Sequence, residues 1–318
     1  MKVFVTNDIP ELGINYLKKA GIKVEVNRNN NSILRTKLLN KISNVDGIIT
    51  LLSDNVDKEF IDHAKKCKVI ANYAVGFNNI DVRYAKRKGI VVTNTPDVLT
   101  DSTADLAIAL MLACARKIPL AEKFMREERF IGWQPKLFLG MELKAKTFGV
   151  LGAGRIGAAT AIRANSFGMN ILYFSNHHNP QLESKIRCKK VSLDYLLSHS
   201  DVISVHLPLN EKTFNLLNED KLKLLRKNSI IINTARGEIV DEIVLIKMLT
   251  EKLIMSAGFD VYHNERKINP NLLKLENAVL LPHLGSATIE ARNAMSMLAA
   301  KNVVNVLKGR EPLTPIHI

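Results

Sequence analysis

The sequence predicts an α/β protein of two doubly wound parallel-sheet domains. Three observations predict it. Short apolar runs alternate with helical patterns along nearly the whole chain, the mark of strands joined by crossover helices. The alternation falls into two series, separated by a stretch at 101–130 rich in Ala, Leu, Met and Ile at helical spacing. The second series opens on V-L-G-A-G-R-I-G, Val150 to Gly157, where an apolar run passes through three glycines into a helical pattern. A chain of 318 residues is long enough for two cores.

In the first series the strand candidates are 3–6, 24–26, 47–51, 69–71 and 90–92, and helical stretches begin near Glu11, Ser32, Asp57 and Val82. The polar tract 27–31 reads as a short loop. The stretch 101–130 reads as one long helix, with Asp101 or Ser102 as its N-cap. Strand candidates of the second series are 147–151, 170–174, 202–206, 230–233, 255–259 and 279–281. A last helix over 288–308 ends at Gly309, with Pro312 three residues on. It comes too late to extend the second sheet and is expected to return to the first domain. That domain is then discontinuous, 1–98 plus 286–318, around a second domain at 99–285.

Composition narrows the functional classes. No apolar run approaches the ~18 residues a membrane helix needs, and the start, Met1 to Val5, runs into a strand pattern without a signal-peptide pattern. Cys67, Cys114 and Cys188 form neither a disulfide framework nor a metal spacing, which fits a reducing cytoplasm and predicts no metal site. The 45 Lys and Arg against 31 Asp and Glu give a net charge of +14. These cations are spread singly, without a basic block or zinc-finger spacing, so the charge reads as a solvated surface and predicts neither a nucleic-acid nor a membrane partner.

The glycine turn reads as a dinucleotide phosphate site. Gly152 permits the tight turn, Gly154 lets backbone N–H groups approach a pyrophosphate, and Gly157 lets helix and strand pack closely. The phosphate would sit at the positive end of the helix entered by Arg155 and Ile156. An NAD-preferring site places Asp or Glu about 20 residues on, at the end of the second strand. Here that strand runs out through Ser175, Asn176, His177 and His178, with no acid before Glu183. Ser175, Asn176 and His177 can hydrogen-bond a 2′-phosphate that a carboxylate would repel. NADP(H) is therefore expected to be preferred, with NAD(H) as the alternative cofactor.

Three chemically telling residues stand just past successive strand candidates: Arg236, Asp260 and His283. In a parallel sheet these positions share the edge that carries the glycine turn. Glu265 follows Asp260 by five residues. Reducing a keto acid needs a fixed carboxylate, a hydride donor and a proton for the developing alkoxide. Arg236 offers forked donors to the carboxylate, and His283 is the natural proton donor. Glu265 would hold the other ring nitrogen. Singly, each residue has a plainer reading as a strand-end or surface side chain; jointly, on one edge, they point to catalysis.

Six ordered motifs carry a family resemblance: N-Y-A-V-G-F-N-N-I-D (72–81), T-N-T-P-D-V-L-T-D-S-T-A-D-L (93–106), L-G-A-G-R-I-G (151–157), N-T-A-R-G (233–237), G-F-D-V-Y (258–262) and P-H-L-G-S-A-T (282–288). Together they resemble the D-isomer-specific 2-hydroxyacid dehydrogenases, most nearly the glyoxylate/hydroxypyruvate reductases. The resemblance implies two Rossmann-like domains, a split substrate domain around the nucleotide domain, a homodimer, and Arg236, Glu265 and His283 as the catalytic set. It implies backbone N–H groups of Val75 and Gly76 at the substrate carboxylate, with Leu52 and Ser53 bordering the pocket. It also implies a nicotinamide site lined by Thr103, Leu207, Pro208, Thr213, Thr234, Ala235, Asp260 and Gly285. The segment 101–130 would contribute to the dimer interface, and the loop of Trp133 would approach the neighbouring subunit's pocket. Two departures stand out: Arg266 follows Glu265 where the family usually has Pro, and 133–143 matches only loosely. Other 2-keto acids, phosphite oxidation and a dinucleotide-sensing corepressor are the rival expectations.

Overall fold

The computed structural model describes residues 1–28 and 33–317. Residues 29–31 of the polar tract and the helix start expected near Ser32 lie outside the described residues. The chain divides into two compact units, Met1–Leu99 with Ser286–Ile318, and Thr100–Gly285.

The first unit alternates β1 (Lys2–Val5), α1 (Glu11–Lys19), β2 (Lys23–Val26), α2 (Arg35–Ile42), β3 (Gly47–Thr50), α3 (Lys58–His63), β4 (Val69–Asn72), α4 (Val82–Arg87) and β5 (Val91–Thr93). Every pairing is parallel, in the order β2-β1-β3-β4-β5, which reverses direction between β1 and β3. Central strands buried on both faces must be apolar throughout; Val3, Val5, Ile48, Ile49, Val69 and Ile70 are all fully buried. The chain's last helix, Ile289–Leu307, packs on α1. Its Ser296 hydroxyl accepts from Gly13 N at 3.1 Å and donates to Pro10 O at 2.6 Å. A Cβ on Gly13 would stand 2.2 Å from the Ser296 carbonyl, so glycine is what lets these two helices approach.

The second unit holds α5 (Thr100–Arg116), α6 (Ile118–Arg126), β6 (Thr147–Leu151), α7 (Arg155–Ser166), β7 (Asn170–Phe174), α8 (Pro180–Lys185), β8 (Cys188–Lys190), α9 (Leu193–His199), β9 (Val202–Val205), α10 (Glu219–Leu222), β10 (Ile230–Asn233), α11 (Glu242–Thr250), β11 (Ser256–Phe259) and β12 (Ala278–Leu280). Its seven parallel strands run β12-β11-β10-β9-β6-β7-β8. Direction reverses between β6 and β9, so the crevice for a ligand opens beyond the carboxyl ends of those strands.

Three details differ from the sequence expectation. The stretch 101–130 is two helices, because Lys117 adopts a left-handed backbone (φ 53°) and Pro119 enters the first turn of α6. Neither Asp101 nor Ser102 caps α5, which already begins at Thr100; Asp101 instead places a negative charge in the first turn and pairs with Arg163 of α7 at 2.8 Å. The strand β8, C-K-K, has no counterpart among the strand candidates. It is an edge strand carrying lysines, with no apolar run to betray it.

Candidate active site

The glycine turn joins β6 to α7 at the switch point of the second sheet. Gly152 has φ 98°, and a Cβ there would meet the His206 carbonyl oxygen at 2.8 Å. At Gly157 a Cβ would lie 2.0 Å from Gly152 O, so helix and turn touch backbone to backbone. Gly154 is the N-cap of α7, and no side chain caps the helix. Space around the Gly154 Cα is open, with nothing within 4 Å of a built Cβ. The first turn of this twelve-residue helix, Arg155, Ile156 and Gly157, presents its N–H groups on the open side of the turn, as helix N-termini that bind anions do. That is the environment a pyrophosphate requires, and the turn fits a dinucleotide.

The loop beyond β7 begins at Ser175 and continues through the exposed Asn176 and His177. It is tied to the glycine turn by Asn179, whose Nδ2 donates to Ala153 O at 2.8 Å. Glu183, the first acid past β7, is engaged within the loop itself. Its carboxylate accepts from the Tyr173 hydroxyl and lies 2.9 Å from His178 Nδ1. Those contacts, Tyr173 first, hold the Glu183 carboxyl below its ordinary range.

On the same sheet edge, β10, β11 and β12 deliver the catalytic candidates. Buried Asn233, the last residue of β10, accepts from Ala235 N at 3.0 Å and donates to Arg236 O at 2.9 Å. It fixes the short segment from which Arg236 projects. Next to it, the Thr234 hydroxyl is buried without a hydrogen-bond partner, an orphan of the kind a bound ligand satisfies. Gly237 follows because a Cβ there would strike the Tyr262–His263 backbone at 2.0–2.2 Å. Half-buried Arg236 donates to Ala235 O at 2.6 Å. Burial draws its guanidinium below the ordinary value, while the charges of Glu265 and Glu238 pull the other way.

His283 follows β12 in a left-handed backbone conformation, φ 55°, which a β-carbon disfavours by about 1 kcal/mol. The next two residues show what holds it. Leu284 N and Gly285 N donate to the two carboxylate oxygens of buried Asp260 at 2.5 and 2.7 Å. Gly285 O in turn accepts from Thr103 Oγ1 of α5 at 3.1 Å. Tyr262 donates to Leu281 O at 2.8 Å, bracing the approach to His283. The imidazole Nδ1 lies 2.8 Å from Glu265 Oε1, with 44% of the Glu265 side chain exposed and 29% of His283. Past β9, Leu207 and Pro208 enter a loop closed by Thr213, whose hydroxyl donates to Pro208 O at 2.6 Å.

Four expected substrate contacts lie in the first unit. Leu52 and Ser53 follow β3, in a loop whose Leu51 and Asp54 carbonyls both accept from Asn79 Nδ2 at 3.0 Å. Val75 and Gly76 follow β4. Asn94 Nδ2 donates to Val75 O at 2.8 Å, and Asn72 Nδ2 to Gly76 O at 2.8 Å. Among the described residues no acceptor faces the N–H groups of Val75 and Gly76. The two carbonyls are pinned by the side-chain amides of Asn94 and Asn72. The supporting residues Asn72, Asn233, Gly237 and Tyr262 are not singled out as site residues in the sequence, although all four fall within the quoted motifs. Cys67 and Cys114 are buried thiols pushed up to about 12 by burial, which makes them packing residues.

An anion cradle at the switch point and a carboxylate-anchored imidazole on the same sheet edge define a class, the dinucleotide-dependent oxidoreductases. Comparison narrows it. Residues 108–285 match the family described as D-isomer specific 2-hydroxyacid dehydrogenase, NAD binding domain. A glyoxylate reductase of Thermococcus litoralis is 48% identical over 98% of this chain and 95% of its own. The crystal structure of a Thermus thermophilus protein superposes with a TM-score of 0.94 at 39% identity, covering all of both chains. The NADPH-dependent glyoxylate/hydroxypyruvate reductase of Sinorhizobium meliloti, solved with NADP and malonate, gives a TM-score of 0.87 at 31% identity, over 99% and 96% of the two chains. The chain belongs to the D-isomer-specific 2-hydroxyacid dehydrogenases, and it is an NAD(P)-dependent enzyme of that family.

Proposed function

We propose that this dehydrogenase reduces small 2-keto acids, glyoxylate and hydroxypyruvate foremost, to D-2-hydroxy acids, with NADPH preferred. The observation that carries the reading is the 2.8 Å His283–Glu265 pair on the edge that holds the glycine turn. The Thermococcus and Sinorhizobium relatives, both named for glyoxylate reduction, support the choice of substrate. The nicotinamide, when bound, supplies the hydride. Glu265 holds Nδ1, which leaves Nε2 of His283 to give its proton to the keto oxygen as negative charge develops there. Arg236 pairs its fork with the substrate carboxylate and draws electron density from the adjacent carbonyl. Glu265 keeps the ring oriented, and Nε2 takes its replacement proton from solvent once the product has left.

The second unit is read as the dinucleotide domain, with Gly152, Gly154, Arg155, Ile156 and Gly157 at the pyrophosphate and Ser175, Asn176 and His177 at the adenosine ribose. Thr103, Leu207, Pro208, Thr213, Thr234, Ala235, Asp260 and Gly285 are proposed to line the nicotinamide half. The first unit is read as the substrate domain, contributing Leu52, Ser53 and the backbone amides of Val75 and Gly76. A homodimer is proposed as well: Ile131 and Trp133 are 89% and 84% exposed in the single chain, and burying them would remove large apolar surface from water. No helix among the described residues is long and apolar enough to cross a membrane, and the cytoplasm is the proposed site of action. The test is NADPH oxidation with glyoxylate, hydroxypyruvate and a panel of larger 2-keto acids. Turnover on the two small acids is expected. Tight NADPH binding with no turnover on any of them overturns the reading in favour of a dinucleotide sensor.

A further inference from the structure

The loop after β7 offers a 2′-phosphate only neutral donors and imidazoles at Ser175, Asn176, His177 and His178. A phosphate dianion is held mainly by fixed positive charge. That charge is available one strand away. Lys190 ends β8, opposite Tyr173 in the β7–β8 register, at the carboxyl edge of the sheet. Its side chain is half-buried, and Nζ donates to the Asn176 carbonyl at 3.1 Å. The ammonium is thus anchored on the ribose loop itself, with further N–H donors to spare.

Neighbouring Glu183 feels the charge of Lys190, but among the described residues no ion pair joins the two. Glu183 is committed to the Tyr173 hydroxyl and to His178 Nδ1 at 2.9 Å. Tyr173 also accepts from Asn179 N at 3.1 Å, and Asn179 Nδ2 donates to Ala153 O at 2.8 Å. The acid side of this cluster therefore braces the loop against the glycine turn, while the cation stays on the Asn176 side.

We infer that Lys190, reaching across from the edge strand, is the residue that selects the adenosine 2′-phosphate of NADPH over the 2′-hydroxyl of NADH. The inference rests on the NADPH preference proposed above. A lysine is a compact point charge on a flexible stem, and it needs no planar partner to meet a phosphate. An edge strand with neither apolar run nor alternation acquires a purpose in this way: it carries the cation that the loop lacks.

Calorimetric titration with adenosine 2′,5′-bisphosphate and with 5′-AMP tests this without turnover, since the two probes differ only in the 2′-phosphate. The wild-type chain is expected to bind the bisphosphate more tightly. In Lys190→Met that advantage should shrink by about ten- to a hundredfold, the range for one charge-assisted contact, while 5′-AMP affinity and Tm stay unchanged. Lys190→Arg should restore most of it. An undiminished advantage in Lys190→Met overturns the role of Lys190 and leaves the NADPH preference standing. An equal loss of both probes shows a merely structural role and also overturns it. No advantage in the wild-type chain overturns the NADPH preference, and Lys190 as its determinant falls with it.

Discussion

Removing the Glu265 carboxylate should disable the proton donor without disturbing the fold. The His283 backbone is fixed independently of Glu265, because Asp260 grips the amides of Leu284 and Gly285 on the far side of it. Only the ring depends on the 2.8 Å contact from Glu265. A hydrogen bond to a charged group is worth about 1.5–3 kcal/mol when buried. With 44% of Glu265 and 29% of His283 exposed, solvent screening lowers that to about 1–2 kcal/mol. In Glu265→Ala that corresponds to a fall of about five- to thirtyfold in kcat/KM for glyoxylate. Because the carboxylate of the substrate is held elsewhere, the fall should appear in kcat while KM changes little.

Glu265→Gln keeps an oxygen facing Nδ1 but loses the charge, so its kcat should lie between those of Glu265→Ala and the wild-type chain. Steady-state kinetics at saturating NADPH, with Tm and the NADPH dissociation constant as controls, measures all of this. A kcat within about twofold of wild type in Glu265→Ala, or a loss confined to KM, would refute Glu265 as the residue that positions the ring.

Arg236→Lys should lower kcat/KM for glyoxylate by at least about a hundredfold, since a point charge cannot reproduce the guanidinium fork; near-normal kcat/KM removes Arg236 from the mechanism. Gly157→Ala would drive a Cβ to 2.0 Å from Gly152 O, so the turn must open. It should weaken NADPH binding at least tenfold and cost about 1–3 kcal/mol of stability, and wild-type affinity in a folded variant would contradict the backbone contact. Burial pushes His206 from 6.5 down to about 3. Between those values the unfolded chain binds a proton that the native chain refuses, so stability falls as pH drops, by about 2 kcal/mol from pH 6.5 to pH 5. Denaturant unfolding of His206→Gln beside the wild-type chain checks it: the variant should lose less stability on acidification, and identical slopes exclude His206 as a cause.

Parallel sheets made this fold legible. A strand covered on both faces must be apolar throughout, and Ile230–Asn233 or Gly47–Thr50 stand out in the sequence for that reason. Because all strands of such a sheet point the same way, the residues after β10, β11 and β12 were assignable to one edge before any coordinates. What local sequence could not carry was the edge strand β8, where only Cys188 packs on the core and two lysines complete the strand, and the left-handed break at Lys117, which has no glycine to mark it. The Pro at 119 was the available signal, since proline favours a first helical turn over an interior one.

Within the candidate site, the side chains proposed to meet reactants stand out in the sequence more than those that brace them. Asn233 and Tyr262 act through backbone groups two to nineteen residues distant, and nothing about an Asn at a strand end or a Tyr beside a loop announces such a partner. Gly237 is required only because the Tyr262–His263 backbone passes within 2.0–2.2 Å of where its Cβ would be, a fact of tertiary packing alone.

The two acids near His283 illustrate why position in sequence underdetermines role. Asp260 and Glu265 are five residues apart, yet one is buried and the other exposed to solvent. Burial raises the Asp260 carboxyl above its ordinary range, and the amides of Leu284 and Gly285, with His283 beyond them, oppose that rise. Its charge is tolerated because two backbone donors meet it, and the return is a rigid left-handed turn under His283. Placing Glu265 in that buried position would leave Nδ1 of the imidazole without its partner. Placing Asp260 at the surface would leave the turn without its clamp. The proposed proton donor needs both a fixed backbone and a held ring, and no single carboxylate supplies both.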